Sequence, residues 1–256
     1  MFYPISCGII VGMTSTTIFT ALIVFFAGFI RAVSGFGYSL LATPLMTLVI
    51  DTKSAVIMNV FLSCVGHILA LFQTWRHVDW KRAALLGLGS LTGVPLGAFL
   101  IAQLDQTTIK LVIAVLVIPF SFLVIIGRLR RFKHDSLGCV ISGFIGGAIG
   151  ASTSFSGPPV VLFLVNQGVV GEKFVGTIAV FFLLQSIFSI AAFSSLGMIK
   201  SDLLIQIAIL VVPLFIGSYI GIKVLPKIKA DIFRRLVPAV VSATAVIIII
   251  SILVKL

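Results

Sequence analysis

Two short stretches of this 256-residue chain gather groups that can hold a small ion without carrying charge themselves. Residues 28–44 read GFIRAVSGFGYSLLATP and residues 143–159 read GFIGGAIGASTSFSGPP. The second stretch offers hydroxyls at Ser152, Thr153, Ser154 and Ser156, set among Gly150, Gly157, Pro158 and Pro159. The first offers Ser34 and Ser39 beside Gly35, Gly37 and Pro44, with Arg31 four residues before Gly35. Hydroxyls supply donors without the cost of a buried charge, and glycine lets backbone approach a ligand closely. A helix that begins just after such a break presents unpaired N–H groups and its positive dipole end, which suit an anion. Pro158 and Pro159 remove donors that the start of a helix leaves orphaned anyway. The chemistry on offer is anion binding by dipoles and hydroxyls, with Arg31 as one candidate charge. Arg31 has a plainer alternative, snorkelling to an interface.

The two stretches match each other at a constant offset of 115, without a gap. Identities fall at Gly28/Gly143, Phe29/Phe144, Ile30/Ile145, Gly35/Gly150, Ser39/Ser154 and Pro44/Pro159. Six matches in 17 positions exceed the roughly one or two expected from composition. With small gaps the match extends to Lys53/Lys173 at offset 120, then to Gly93/Gly217 and Gly97/Gly221 at offset 124. The chain therefore reads as one unit duplicated, residues 1–132 and 133–256, forming one integral membrane domain.

The surrounding elements must be membrane helices. The chain is 60% hydrophobic and 10% charged, with a mean hydropathy of +1.28, against about 25% charged residues in soluble domains. Windows such as 83–104, 107–127, 174–199, 203–222 and 236–254 are nearly free of charge, and each approaches the ~20 apolar residues that a spanning helix needs. They lack the alternation of barrel strands. The net charge of +11 comes from basic residues clustered in short loops, which points to loop topology and not to nucleic acid. Cys7, Cys64 and Cys139 have no metal or redox spacing. No cofactor or metal is expected. The N-terminus has no charged leader region, so a removed signal peptide is not expected.

Each half reads the same way. A first apolar segment (about 16–34; 136–150) meets the break, and a short one (about 38–50; 157–168) follows. Three long helices come next, at about 53–74, 81–103 and 107–127, then 173–196, 202–223 and 233–254. The short segments cover only ~18–21 Å of a ~30 Å hydrocarbon core. Each broken pair is thus two crossings or one re-entrant hairpin, and the lengths favour the hairpin. Arg76, Lys81 and Arg82 fill the loop between the first two long helices, whereas the equivalent loop of the second half has Lys200 and Asp202. The next loop has Lys110 in the first half, but Lys223, Lys227, Lys229, Arg234 and Arg235 in the second. The joining loop adds Arg128, Arg130, Arg131 and Lys133. Basic loops face the cytoplasm, so equivalent loops lie on opposite sides. That is an inverted-topology repeat of a multi-pass protein of the cytoplasmic membrane, with both termini outside. Such repeats are common in secondary transporters and place the substrate at the midplane.

All seven acidic residues (Asp51, Asp79, Asp105, Asp135, Glu172, Asp202, Asp231) fall at helix ends or in loops. A cation path or carboxylate proton relay normally needs intramembrane acids, so an anion site is favoured. His67, Asn59, Gln73 and Gln185 either line the path or bridge helices. The Gly93-x-x-x-Gly97 and Gly217-x-x-x-Gly221 pairs read as helix packing. There is no Gly-Lys-Ser/Thr phosphate loop, no His-Glu-x-x-His and no catalytic constellation, so no enzyme is expected. A scaffold would explain the apolarity but not two inverted breaks. An anion channel of the same architecture remains open.

GFIRAVSGFGYSLLATPLM and GFIGGAIGASTSFSGPPVVLFL resemble the two signature regions of the TauE/SafE family of sulfite and sulfonate exporters. KSAVIMN, EKFVGTIAVF and the glycine pairs near 93 and 217 extend the resemblance over nearly the whole chain. It implies transport of small sulfur-containing anions, such as sulfite, thiosulfate or sulfoacetate, or of another organic anion. The implied partners are the anion and membrane lipid, with room for a homo-oligomer. Arg31, Phe36 and the hydroxyls after Gly150 depart from the usual glycine-rich pattern while keeping the anion reading.

Overall fold

A computed structural model describes residues 15–34, 37–113, 115 and 134–224, excluding the side chains of residues 33 and 34. The Ser34 side chain, Gly35, the helix expected at 233–254, most of 107–127 and the basic segments 128–133 and 225–235 lie outside the described part.

Every described element is helical. The long helices are α1 (Ser15–Ser34), α3 (Thr52–Thr74), α4 (Trp80–Gln103), α6 (Asp135–Thr153), α8 (Gly171–Ser195) and α9 (Ser201–Val224). All six are long and apolar enough to cross a membrane. The short ones are α2 (Tyr38–Val49) and α7 (Gly157–Asn166), of 12 and 10 residues, or ~18 and ~15 Å at the helical rise. The described part of α5 runs over 106–113. The protein is thus an all-helical, multi-pass membrane protein.

The scarce acids start the helices. Asp51 accepts the Ser54 N–H at 3.0 Å, Asp79 the Arg82 N–H at 3.3 Å, and Asp105 the N–H groups of Thr107 and Thr108. Each satisfies donors that a helix start leaves unpaired. Asp135, Glu172 and Asp202 lie in the first turns of α6, α8 and α9, where the helix dipole favours them. An ion-pair cluster joins three of these starts: Asp79 meets Arg82 at 3.1 Å and Lys173 at 3.0 Å, and Arg82 meets Asp135 at 3.0 Å. Partial burial opposes ionisation of Asp79. The hydrogen bonds from Lys173 and the Arg82 N–H, with both cations, outweigh it and hold the carboxyl below its usual range.

Glycine sets the main contacts. α4 runs parallel to α6, with Gly89, Gly93 and Gly97 against the carbonyls of Val140, Phe144 and Ala148. α9 runs parallel to α1, with Gly217 and Gly221 against the carbonyls of Phe25 and Phe29. A Cβ at any of these glycines would strike backbone, so the packing expected of the glycine pairs is what forms. The register differs by one turn from the sequence alignment. Phe25 and Phe29 correspond to Val140 and Phe144 at offset 115, so Gly217 and Gly221 answer to Gly89 and Gly93, an offset of 128 where the sequence match has 124. α3 and α8 pack against each other.

Candidate functional site

The two breaks meet. Ser154 Oγ lies 3.2 Å from Ser39 Oγ, which lies 3.3 Å from Ser63 Oγ on α3. Ser39 and Ser154 are the pair aligned at offset 115, so equivalent residues of the two stretches touch each other. A cavity of about 30 Å³ opens beside them, lined by Gly37–Ser39, Ser154–Pro158, Ser63 and His67 of α3, and Phe182 and Gln185 of α8. Ser63 is the central residue of the 23-residue α3, and Gln185 lies two residues past the centre of the 25-residue α8. The cavity therefore sits at half the depth of both helices.

Local chemistry explains the breaks. Gly37 ends the first with φ 100°, and Ser154 takes the left-handed conformation at φ 61°. Such backbone costs a non-glycine residue ~1–2 kcal/mol. α2 then starts with three N–H groups, on Tyr38, Ser39 and Leu40, ahead of the first ladder bond from Leu41 to Gly37. α7 starts Gly157-Pro158-Pro159, so Gly157 alone carries an N–H among its first three residues. Ser156 Oγ donates to Gln185 Oε1 at 3.3 Å, and Gln185 Nε2 donates to Ser189 Oγ at 2.9 Å. The His67 ring packs against Phe182 with centroids 4.9 Å apart.

Several expected site residues serve the scaffold. α6 continues through Gly150 to Thr153, three residues beyond the helix end read at 150, so the irregular backbone is confined to 154–156. Ser152 Oγ donates to the carbonyls of Ala148 and Ile149, and Thr153 Oγ1 to that of Ile149 at 2.7 Å. These hydroxyls are turned back onto their own helix. Thr153 Oγ1 also accepts the Phe155 N–H and shapes the turn. Gly150 is a close-approach position, since a Cβ there would lie 2.6 Å from Ser156 Cβ and 2.8 Å from Gln185 Nε2. Pro44 lies inside α2 and withholds the N–H that would bond the carbonyl of Leu40, a residue on the cavity wall. Pro159 follows Pro158 in the first turn of α7 and does not line the cavity.

Arg31 is not in the central cavity. It is 4% exposed, donates through Nη1 to the Gly66 carbonyl and through Nη2 to Ser218 Oγ at 3.1 Å. It lines a second cavity instead. Among the described residues no carboxylate pairs with it. Ser63 and Phe182 were not marked by any motif, and Tyr38 lies in the first stretch without having been singled out. Ser63 is one small polar residue in an apolar helix, a signal too common to single it out.

The arrangement brings neutral hydroxyls and two helix N-termini together at mid-depth, groups whose donors suit an anion. Among the described residues no cluster suits a metal ion. The family model for the sulfite exporter TauE/SafE matches residues 20–248. No curated protein and no solved structure matches the chain.

Proposed function

The chain belongs to the TauE/SafE family of sulfite exporters, and from that premise we propose that it is a secondary transporter of small sulfur-containing anions. Sulfite, thiosulfate and sulfonates such as sulfoacetate are the substrate class. The anion binds between the two breaks, to the hydroxyls of Ser39, Ser154 and Ser156 and the N–H groups of Tyr38–Leu40 and Gly157. Gly37 shapes the first wall, and Gly150, Ser152, Thr153, Pro44, Pro158 and Pro159 hold the second wall and the short helices in place. The observation that carries this reading is the contact of Ser39 with Ser154 at half the depth of α3 and α8.

Access alternates by movement of two inverted halves, 1–132 and 133–256, around this point. In a chain whose halves share one topology, α4 and α6 would run in opposite directions. Their parallel run, and that of α1 with α9, support opposite topologies. The basic end of α3 then faces the cytoplasm of a bacterial cell. A cavity of about 30 Å³ holds about a water or two, so the central site is closed in this conformation, which favours a carrier over an open channel. Purified protein in liposomes, tested with labelled sulfite, thiosulfate, sulfoacetate and a carboxylate, is expected to show saturable countertransport of the sulfur anions. Single-channel currents, or uptake of the carboxylate alone, would refute it.

A further inference from the structure

The second cavity is larger and more strongly charged than the first. It holds about 270 Å³, against about 30 Å³ between the breaks. Its walls come from the last turns of α3 (Gln73, Thr74), the second turn of α8 (Val175), the later half of α9 (Ser218, Tyr219) and Arg31 of α1. All these segments point to one end of the bundle, the end where Thr74 is followed by Trp75 and Arg76. Lys223 lies 4.4 Å from the Tyr219 ring, so a second cation stands near this wall. Arg31 links the two spaces. It lines the larger one, and its Gly66 partner precedes His67, which lines the smaller.

The Arg31 guanidinium lies within the apolar span of α1, is almost fully buried, and its Nε has no hydrogen-bond partner among the described residues. Its other two partners, a carbonyl and a hydroxyl, are neutral. A buried charge without a counter-charge is costly, and a bidentate oxyanion is the partner its planar donors fit best. We propose that this cavity is a second anion site, a loading position where a small oxyanion pairs with Arg31 before passing to the central site. It rests on the sulfur-anion reading above and adds to it where the anion waits while the central site is closed. Gln73 and Tyr219 supply neutral hydrogen-bonding groups beside the charge, whereas the Thr74 and Ser218 hydroxyls donate to the carbonyls of Ala70 and Gly28.

The test uses sulfite as the probe, in equilibrium binding to the full-length protein and in proteoliposome transport. Arg31→Gln removes the charge, Arg31→Lys keeps it, and Gln73→Glu places a carboxylate in the cavity from an exposed position. Loss of a charge-assisted pair corresponds to roughly tenfold or more in affinity. Arg31→Gln and Gln73→Glu are each expected to raise KM at least about tenfold with maximal rate within about twofold, and Arg31→Lys to fall between. KM within about twofold of wild type in both Arg31→Gln and Gln73→Glu overturns the second site while leaving the transport reading intact. Wild-type binding that disappears in Arg31→Gln, with no transport by the wild type, keeps the site and removes the transport reading. Neither binding nor transport by the wild type removes both. A lipid headgroup offers the same chemistry. In that case phosphatidylglycerol vesicles would raise the wild-type KM over phosphatidylcholine vesicles, and Arg31→Gln would not respond. An equal KM in both lipids supports the soluble anion, and the competitive result overturns it.

Discussion

Ser154 allows the hydroxyl to be separated from the backbone that carries it. The residue sits at φ 61°, is 4% exposed and donates to Ser39 at 3.2 Å. Its conformation costs ~1–2 kcal/mol, and a neutral hydrogen bond contributes ~0.5–1.5 kcal/mol. Ser154→Ala loses the bond and keeps the strained backbone. The expected loss of about 1 kcal/mol lowers Tm by ~2–4 °C for a chain of this size. Ser154→Gly loses the same bond but relieves the backbone, so its stability should match or exceed that of the wild type. Transport should not follow stability. Both variants lose the same donor to the anion, and a hydrogen bond to a charged partner is worth ~1.5–3 kcal/mol, or roughly 10–100-fold in KM. Labelled sulfite uptake into proteoliposomes, paired with thermal melts in detergent, reads both quantities. Wild-type KM in Ser154→Gly would remove the hydroxyl from the site. A KM defect that tracks Tm across the two variants would show that position 154 acts through folding alone.

Three further outcomes follow from the packing, the charge and the topology. Gly93→Ala drives a Cβ into the Phe144 carbonyl, whereas Gly87→Ala meets only the end of the Leu184 side chain at 2.7 Å. Overpacking against backbone costs ~1–3 kcal/mol, so Gly93→Ala should lower Tm by several degrees more than Gly87→Ala, and equal melts would refute the close α4–α6 contact. Asp79 has a lowered folded-state pKa, so its contribution is present above the ordinary carboxylate range and is lost as pH falls through the folded value. Asp79→Asn should therefore lower Tm at neutral pH and lessen its fall on acidification below about pH 4; an unchanged acid profile would refute this. An impermeant maleimide applied to intact cells should label Lys200→Cys and leave Arg130→Cys unlabelled, and the reverse would overturn the proposed orientation.

The helices were legible in the sequence because their ends carry chemistry that needs no tertiary context. The reading at 53–74, 81–103 and 202–223 meets Thr52–Thr74, Trp80–Gln103 and Ser201–Val224, since Asp51, Asp79 and the polar Lys200-Ser201-Asp202 mark the starts. The contact of the breaks was legible through the repeat, as Ser39 and Ser154 were already paired by alignment. What could not be read was the direction of side chains. Ser152 and Thr153 look like ligands in a list of residue types, but a hydroxyl in a helix can bond the carbonyl one turn back, and α6 uses that option. Arg31 stands one turn before Gly35, so sequence distance brings it near the break. Its direction depends on which helices pack there, and Gly66 and Ser218 draw it away from the central cavity.

The two aligned stretches do not make two equal halves of a site. Arg31 corresponds to Gly146 at offset 115, and a Cβ at Gly146 would already crowd Val160 and Phe181 at 3.0 and 3.1 Å. An arginine has no room there. Ser218 corresponds to Ser90 at the packing offset of 128. Ser218 receives Arg31, whereas the Ser90 hydroxyl turns back to the Gly87 carbonyl at 3.1 Å. The short helices differ in the same sense, three leading N–H groups on α2 against one on α7. Similar folding of the two stretches is enough to bring the breaks together, so the alternating motion proposed above needs no more than their glycines and short helices. Affinity need not be symmetric. Charge and donors accumulate on the wall that α1 and α2 build, toward the basic end of α3, so the carrier proposed above is expected to hold its anion more firmly on one side of the membrane than on the other.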